Sequence, residues 1–270
     1  MLILTDLDGS LLDHEDYSWH DARPALERIR QASVPLVFVT SKTRSEVETL
    51  QRQLAIEEPF VVENGGGVFF PPRYDELELP AAEVLDRYRL IRLGDSYTRV
   101  RAFVEEARPR FDVLGFGDLS AEEIAELADL SLKDAELARQ RDFAEPFLLD
   151  PVERIDELTA LARREGLEVT RGGRFFHLMG RGQDKGRAVE IVVGVFERNS
   201  VERPVTLGLG DSPNDLPMLE RVDIPIVIPR LGGGQLEMER EDVRMARFPG
   251  SKGWNEAVLG VLAEEGMGPE

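Results

Sequence analysis

The stretch Leu2–Leu12, LILTDLDGSLL, constrains the fold more than any other part of the chain. It opens with an apolar run, Leu2–Leu4, that is typical of a strand buried on both faces of a parallel sheet. Asp6 and Asp8 follow, and side chains two residues apart point the same way from an extended backbone. Two buried carboxylates are costly unless a cation such as Mg²⁺ lies between them. Taken alone, the motif fits a solvated turn equally well.

Strand patterns and helix patterns alternate in the first part of the chain and again near its end. Apolar runs at Val34–Val39 and Phe60–Val62 predict two further buried strands, and Thr43–Glu46 has the capping-box pattern of a helix between them. After Asp184 a helix pattern and the apolar run Val205–Leu207 resume the alternation. This order predicts an α/β fold with a doubly wound, mainly parallel, Rossmann-like sheet.

The middle of the chain has a different pattern, and we expect residues 83–178 to form an inserted α+β cap domain. This segment contains a strand pattern at Tyr88–Leu93 and a hairpin pattern with its turn at Gly172-Gly173. Asp150-Pro151 has the residue types that cap and begin a helix, which we expect to end at Gly166. The core domain is then expected to comprise residues 1–82 and 179–270.

Polar side chains follow the predicted strands at the edge where a doubly wound sheet binds its ligands. Four boundaries between elements supply them: Asp6 with Asp8, Thr40 with Ser41, Lys185, and Asp211 with Asp215. Carboxylates, a small hydroxyl and a lysine are the groups needed for metal-assisted phosphoryl transfer through a carboxylate nucleophile. Convergence of these groups would therefore predict a phosphatase or a related phosphoryl-transfer enzyme.

In that chemistry Asp6 attacks phosphorus, and Asp8 protonates the leaving alcohol and later deprotonates the attacking water. We expect Mg²⁺ to bind Asp6, Asp211 and the phosphate, with the backbone carbonyl of Asp8 also in reach. Lys185 is expected to neutralise the phosphate and the nucleophile as a compact positive charge.

Four motifs resemble the signature motifs of the haloacid dehalogenase superfamily of phosphatases. They are Asp6–Gly9 (DLDG), Thr40, Lys185 and Gly210–Asp215 (GDSPND), and the insertion between the second and third is similar to that of members with a large α/β cap. The resemblance implies Mg²⁺ as the cofactor, and it implies that Asn214 and Asp215 support the metal site. It also implies these roles: Asp6 as nucleophile, Asp8 as acid and base, Thr40 as phosphate-binding hydroxyl, Lys185 as the basic residue and Asp211 as metal ligand.

A narrower resemblance is to the family of mannosyl-3-phosphoglycerate phosphatases. It rests on the strings ENGGG at Glu63–Gly67, RQRDFAEP at Arg139–Pro146, RFFHLM at Arg174–Met179, DKG at Asp184–Gly186 and GWN at Gly253–Asn255. The resemblance implies that the substrate is mannosyl-3-phosphoglycerate, with the glucosyl analogue as a second substrate. The product, a glycosylglycerate, would be a compatible solute.

The substrate of that family carries a phosphate, a carboxylate and a hexose, so arginine and other polar side chains are expected around it. Many sugar-phosphatase relatives have Thr-Gly-Arg where this chain has Thr40-Ser41-Lys42, so either hydroxyl could bind phosphate. Asn214 is a further candidate for substrate binding. Candidates to bind the sugar and glycerate are Arg141, Glu145, Arg174 and His177 in the cap and Lys42 and Arg44 in the core. Each of these residues could instead have no contact with substrate. The charged residues would then be ordinary surface charges, and His177 would be a core histidine that is hydrogen-bonded within the protein.

Two other functions fit the same motifs. One is a phosphomutase or a phosphatase of broader hexose-phosphate range, which would share the core and differ in the cap. The other is a sugar-phosphate sensor without catalysis, against which Asp8 argues, because a binding protein needs no group that moves a proton.

Composition excludes several classes of partner. The net charge of −19 argues against nucleic acid, and no apolar run approaches the length of a membrane span. There is no signal-peptide pattern at the N-terminus, so we expect a cytoplasmic protein. The absence of cysteine excludes disulfides, thiolate metal sites and a cysteine nucleophile. Few thermolabile residues and many charges favour a thermophilic source, although codon bias explains the excess of arginine equally well.

Overall fold

The computed structural model describes residues 1–172, 174–232 and 236–268; the predicted turn residue Gly173 lies outside them. Within the described residues the strands form two sheets, one of nine strands and one of four. No helix in these ranges is long and apolar enough to cross a membrane. The predicted fold class is confirmed, because the larger sheet is mainly parallel and packs helices on both faces.

The strands in the described residues are β1 (Leu2–Thr5), β2 (Leu36–Val39), β3 (Phe60–Val62), β4 (Gly67–Phe70), β5 (Glu83–Leu85), β6 (Tyr88–Arg92), β7 (Asp112–Gly115), β8 (Glu145–Asp150), β9 (Leu167–Gly172), β10 (Phe175–Gly180), β11 (Thr206–Gly210), β12 (Ile224–Val227) and β13 (Arg244–Met245). The helices are α1 (Arg23–Gln31), α2 (Arg44–Leu54), α3 (Tyr97–Ala107), α4 (Ala121–Ala128), α5 (Leu132–Ala138), α6 (Ile155–Arg164), α7 (Lys185–Arg198), α8 (Leu216–Leu219) and α9 (Gly250–Glu264).

The first sheet has the order β13-β12-β11-β1-β2-β3-β4-β6-β5. The strands from β13 to β3 in this order run parallel, whereas β4, β6 and β5 are each antiparallel to the preceding strand. β1 therefore lies between two parallel neighbours, β11 and β2. The carboxyl ends of these three strands meet at one edge of the sheet, where the order of the chain reverses.

Alternate residues of the central strands face opposite layers of helices. Ile3 packs in a cluster with Trp254 of α9, whereas Leu4 packs in a second cluster with Val192 of α7. The indole N–H of Trp254 also donates to the Thr5 hydroxyl at 2.9 Å. A strand buried on both faces needs apolar residues at every position, which explains the uninterrupted run at the start of the chain.

The second sheet is antiparallel, with the order β7-β8-β10-β9. Helices α3 and α6 pack on it through Phe103, Leu158 and the strand residue Phe147. A smaller cluster that includes Ile124 holds α4 and α5 together. Each cluster consists of apolar side chains at helical or strand spacing, as the sequence pattern of an α+β unit requires.

The predicted start of the inserted segment at residue 83 is wrong for β5 and β6, because both strands pair with the first sheet. Tyr88 of β6 packs edge-on against Phe60 and Phe69, with ring centroids 5.3 and 5.8 Å apart. This aromatic cluster buries one face of the strand against the core. At the other end β10 extends to Gly180, two residues beyond the predicted boundary at 178.

The helix predicted to begin at Asp150-Pro151 begins later. Asp150 is the last residue of β8 and pairs with Asp112 of β7, so its backbone is extended rather than at a helix start. A 3-10 turn at Val152–Arg154 follows, and α6 begins only at Ile155. Sheet pairing thus overrides a local helix-start signal.

Candidate active site

The ammonium group of Lys185 connects carboxylates from two parts of the chain. Its Nζ donates to Oδ1 of Asp6 and to Oδ1 of Asp215, at 2.6 Å in both cases, and the lysine side chain is completely buried. Lys185 is the first residue of α7, and the side chain of Asp184 caps that helix by accepting the N–H of Arg187 at 2.8 Å. The cap fixes where the helix starts and thereby where the lysine points.

Three buried carboxylates form a group beside this lysine. Asp6, Asp211 and Asp215 each offer one oxygen, and the three oxygens lie within 4.8 Å of one another. β1 and β11 are adjacent parallel strands, so the residues that follow them meet at the same edge of the sheet. The N–H of Asp6 donates to the carbonyl of Leu209 at 2.9 Å and continues that pairing past the end of β1.

Asp215 also holds the loop that carries Asp211. Its Oδ2 accepts the N–H groups of Asp211 and Ser212 at 3.0 and 2.9 Å, while its Oδ1 binds Lys185. A methyl group on Gly210 would lie 2.5 Å from the Cβ of Asp215, so this close approach requires glycine. Asp215 therefore positions its neighbour as well as adding an oxygen to the group.

The pKa values show how strongly these charges interact. Burial, followed by the charge of Asp215, raises the pKa of Asp6 well above its usual value, although Lys185 acts in the opposite direction. The same two causes raise the pKa of Asp211 to about 6. Burial works against the charge of Lys185, but Asp215 and Asp6 outweigh it and raise the pKa of the lysine. Three carboxylates around one ammonium leave excess negative charge, which suits a divalent cation bound by oxygen.

The carboxylate of Asp8 lies outside this group of three. Its Oδ1 is 3.0 Å from Nζ of Lys42, which also lies 3.3 Å from Oε1 of Glu46. Gly9, with φ of +82°, turns the chain beyond Asp8, and a methyl group there would lie 2.9 Å from Oδ2 of Asp211. The predicted part of Asp8 in metal binding therefore depends on its backbone carbonyl, since its side chain is paired with a lysine.

The two hydroxyls after β2 have different surroundings. Thr40 is completely buried, and its Oγ1 accepts the N–H of Lys42 at 3.1 Å. Ser41 is partly exposed and lines the cavity beside the carboxylates. Of the two, the serine side chain has the more direct access to a ligand in that cavity.

A cavity of about 150 Å³ lies beside the carboxylates and has walls from both sheets. The sequence-predicted residues that line it from the first sheet are Asp6, Asp8, Ser41, Lys42, Asp211 and Asn214, and those from the inserted segment are Arg141, Arg174 and His177. A larger cavity of about 440 Å³ lies beside α1 and the end of α2, and none of the predicted site residues lines it. The smaller cavity is therefore the candidate active site.

His177 and Arg174 face the cavity from β10 and the preceding turn. His177 is 6% exposed, and its Nδ1 has no hydrogen-bond partner among the described residues. Burial, followed by the charges of Arg141 and Lys185, lowers its pKa to about 3. The imidazole is therefore neutral at physiological pH and can bind a hydroxyl group. Arg174 is exposed and adds a positive charge at the rim.

Arg141 lines the cavity and also makes hydrogen bonds within the protein. Its Nε donates to the carbonyl of Ala144 and its Nη2 to that of Ser41, both at 3.1 Å. Nε also lies 3.3 Å from Oε2 of Glu63. Arg141 therefore links a loop of the inserted segment to the end of β2, and part of its role is structural.

Arg44 and Glu145, which the sequence suggested as substrate-binding residues, lie outside the lining of this cavity. Arg44 donates to Oδ2 of Asp86 at 2.6 Å and does not line the cavity. Glu145, the first residue of β8, is completely buried and accepts hydrogen bonds from Tyr97, Arg101 and the N–H of Gly117, at 2.6, 2.7 and 2.9 Å. Neither residue lines the cavity: Arg44 is paired with a carboxylate at the surface, and Glu145 is paired in the interior.

Sequence reasoning missed several residues that line the cavity. Tyr17, in the loop after β1, places its ring 4.9 Å from Nζ of Lys42, and His14 lies in the same loop. Arg230, which does not line this cavity, was missed as well: its Nε donates to the carbonyl of Asp211 at 3.0 Å and lies 3.5 Å from Oδ2 of the same residue. The loops that carry these residues have no periodic pattern, so only nearness in sequence to the first aspartates could have indicated Tyr17 and His14.

Asn214 lies in the loop after β11 and also lines the cavity. Its Nδ2 donates to Oδ1 of Asn64 at 2.9 Å, which joins the loops after β11 and β3. Its own Oδ1 is buried without a hydrogen-bond partner among the described residues. This oxygen is free to accept a hydrogen bond from a ligand or a water molecule.

Comparison with known proteins gives a consistent result. A family model described as haloacid dehalogenase-like hydrolase matches residues 3–86. The chain is 52% identical to a glucosyl-3-phosphoglycerate/mannosyl-3-phosphoglycerate phosphatase of Persephonella marina, over 98% of each chain. It is 39% identical to a protein of the same name from Methanococcoides burtonii, over 97% of each chain.

Solved structures share the fold at low sequence identity. A protein of Thermoplasma acidophilum superposes with a TM-score of 0.67 and 21% identity over 98% of each chain. The sucrose-phosphatase of Synechocystis, solved with sucrose and phosphate, superposes with a TM-score of 0.62 and 16% identity over 98% of this chain and 97% of the other.

Proposed function

The chain belongs to the glucosyl-3-phosphoglycerate/mannosyl-3-phosphoglycerate phosphatases among the haloacid dehalogenase-like hydrolases, and on that premise we propose that it hydrolyses the phosphate esters of mannosyl-3-phosphoglycerate and its glucosyl analogue. The products are the glycosylglycerate and inorganic phosphate. We further propose that the reaction serves compatible-solute synthesis in the cytoplasm.

The observation that carries this proposal is the position of Asp6. Its carboxylate is bound by Lys185 and lies close to the carboxylates of Asp211 and Asp215, at the wall of a cavity. A nucleophilic carboxylate beside a lysine and a cation site is the arrangement needed to attack a phosphate ester.

The proposed chemistry has two steps. In the first, a carboxylate oxygen of Asp6 forms a bond to phosphorus while the bond from phosphorus to the glycerate oxygen breaks, and Asp8 gives its proton to that oxygen. In the second, Asp8 takes a proton from a water molecule whose oxygen attacks phosphorus, and the aspartyl-phosphate bond breaks. Phosphate leaves, and both aspartates return to their starting states.

We propose Mg²⁺ as the cofactor, because the available donors are carboxylate and carbonyl oxygens. Asp6 and Asp211 would hold it, with the backbone carbonyl of Asp8 and support from Asp215. When bound, Mg²⁺ supplies positive charge that lowers the repulsion between the nucleophile and the phosphate. Burial raises the pKa values of Asp6 and Asp211, and the charge of Asp215 raises them further; a cation at this position would offset both effects, which supports the proposal.

We propose that the rest of the substrate lies between the two sheets. Ser41, Lys42 and Asn214 would contact it from the core. Arg174 and His177 would contact the glycerate and the sugar from the other side. The segment after β6, up to Gly180, would form the cap that supplies these residues, and limited proteolysis in the two connections to the core would test that boundary.

A phosphate-release assay with Mg²⁺ tests the proposal. The panel comprises mannosyl-3-phosphoglycerate, glucosyl-3-phosphoglycerate, simple hexose phosphates and 3-phosphoglycerate. We expect the two glycosyl-phosphoglycerates to have the highest kcat/KM. Faster turnover of simple hexose phosphates would favour the broader phosphatase instead, and transfer of labelled phosphate between sugar positions would favour a phosphomutase. Tight binding without turnover of any compound would indicate a sensor.

A further inference from the structure

Glu63, directly after β3, has a carboxylate that the proposed chemistry does not use. The side chain is completely buried, yet it accepts three backbone N–H groups from a loop of the inserted segment. These donors belong to Asp142, Phe143 and Ala144, at 2.8, 3.0 and 2.7 Å. Nε of Arg141 lies 3.3 Å away and adds a positive charge. A single carboxylate thus accepts three consecutive backbone N–H groups of the 141–144 loop.

The backbone of Glu63 is tied to the active site at the same time. Its N–H donates to the carbonyl of Lys42 at 3.0 Å, and its carbonyl accepts Nε2 of Gln183 at 2.6 Å, two residues before Lys185. The next N–H, that of Asn64, donates to the carbonyl of Thr40 at 2.9 Å. Glu63 therefore joins the end of β2, the approach to α7 and the 141–144 loop.

This arrangement is held against local preference. Glu63 and Asn64 have φ values of +49° and +57°, in the left-handed region that side chains other than glycine rarely adopt. A buried carboxylate is also unfavourable, and burial raises the pKa of Glu63 even though Arg141 and the three N–H groups act against this. Strained residues of this kind persist where surrounding contacts determine them, and they cluster at functional sites.

Packing brings the same loop against the core. Phe143 is completely buried on the backbone of Gly66, where a methyl group would lie 2.5 Å from the Cβ of the phenylalanine. The contact leaves no space for a side chain at residue 66. The bonds to Glu63 and this packing together fix where Arg141 enters the cavity wall, beside His177.

We propose that Glu63 is a positioning residue, which clamps the 141–144 loop and thereby sets the wall of the cavity that receives the sugar and glycerate. Glu63 does not touch the substrate and acts through Arg141 and the loop backbone. This role in the reaction rests on the proposed function, whereas the clamp itself does not.

The test is Glu63→Gln, which keeps the shape of the side chain but replaces one acceptor oxygen by an amide NH₂. At least one loop N–H then loses its partner. We expect the amides of residues 142–144 to exchange with deuterium at least about tenfold faster. We expect KM for mannosyl-3-phosphoglycerate to rise about tenfold, and by a larger factor than KM for p-nitrophenyl phosphate, which lacks the sugar and glycerate.

Glu58→Gln is the matched control. Glu58 is also a buried carboxylate of the core, bound by Arg73 at 2.7 Å and by Tyr74, and it does not line the active-site cavity. This variant should leave both the exchange of residues 142–144 and the KM values unchanged. Equal effects of the two substitutions would overturn the proposal, because they would reflect a general loss of stability.

Deuterium exchange separates failure of the clamp from failure of the proposed function. In the unaltered protein the amides of residues 142–144 should be as protected as those of β8, and rapid exchange there would overturn the clamp even if Glu63→Gln failed to fold. Unchanged exchange in Glu63→Gln would do the same. Faster exchange with unchanged KM would refute the role in positioning substrate. If no glycosyl-phosphoglycerate is turned over, the proposed function fails and the exchange result still decides the clamp.

Discussion

The charges around Asp6 define the site at the scale of single residues. One ammonium group, that of Lys185, is shared by Asp6 and Asp215, and Asp211 completes a group with more negative than positive charge. Removing Lys185 would leave the carboxylates of Asp6 and Asp215 buried without their shared cation, which is usually more costly than losing the contact itself. Effects on stability must therefore be measured beside effects on activity.

Asp6→Asn should abolish phosphate release, because an amide cannot form the proposed aspartyl-phosphate. We expect kcat for mannosyl-3-phosphoglycerate to fall by about 10³-fold or more. Phosphate-release kinetics measure this, with the thermal midpoint recorded in parallel. Asp16→Asn makes the same substitution at an exposed position in the following loop and should leave kcat unchanged. Full activity in Asp6→Asn would remove the proposed nucleophile.

The affinity for Mg²⁺ should depend on pH through Asp211. Its pKa is raised to about 6, so below that pH the metal must displace a proton from the carboxyl group. Affinity should therefore fall as the pH is lowered through about 6, by up to about tenfold per pH unit for each proton displaced. Calorimetric titration of Mg²⁺ between about pH 5 and 8 measures this, and a constant affinity would contradict it.

At the scale of secondary structure, the start of α7 decides where Lys185 lies. The helix begins at the lysine and packs tightly against α8 at its second residue, Gly186. A methyl group on Gly186 would lie 2.3 Å from the carbonyl oxygen of Pro217, which is a backbone atom and cannot move aside by rotation. The lysine reaches two carboxylates only because this glycine lets the helices approach.

Gly186→Ala and Gly194→Ala should have opposite effects, although both add a methyl group to α7. The first should lower the free energy of unfolding by about 1–3 kcal/mol through overpacking, and it should reduce activity by displacing Lys185. The second faces only the mobile end of Arg198, at 3.4 Å, and should stabilise the helix by up to about 1 kcal/mol. Denaturant unfolding measures the free energy of unfolding of both variants. Equal changes would show that the close contact between Gly186 and α8 does not determine the stability of this region.

At the scale of the whole molecule, two sheets contribute different chemistry to one cavity. Carboxylates and a lysine come from the first sheet and its helices, whereas Arg174 and His177 come from β10 and its turn. The protein carries a net charge of −19, so an anionic substrate is attracted only by the positive groups that line this cavity. Because the two sets of residues come from different sheets, we expect that substitutions can alter phosphoryl transfer and recognition of the leaving group separately.

Arg174→Gln should therefore impair recognition more than chemistry. We expect KM for mannosyl-3-phosphoglycerate to rise about tenfold or more, since a charge-assisted hydrogen bond to the carboxylate would be lost. The kinetics of p-nitrophenyl phosphate, which lacks that carboxylate, should change less. Arg171→Gln alters a nearby exposed arginine that does not line the cavity and serves as the control. A fall in kcat alone for both substrates would instead place Arg174 in the chemical step.

The sequence by itself determined the central features of this protein. An apolar run followed by Asp6, a capped helix that begins with Lys185, and a strand followed by Asp211 were each recognisable from a few consecutive residues. Such signals are reliable because strand ends and helix caps depend on neighbours in the chain. Since parallel strands end at the same edge of a sheet, their convergence could be predicted as well.

Only the tertiary structure decided which partner each remaining side chain has. Arg44 and Glu145 look equally suitable as ligands of an anionic sugar in the sequence, but both are paired elsewhere. The addition of β6 to the first sheet, and the capture of the 141–144 loop by Glu63, likewise join residues far apart in the chain. Contacts of this kind depend on how whole elements pack against each other, and no local pattern encodes that.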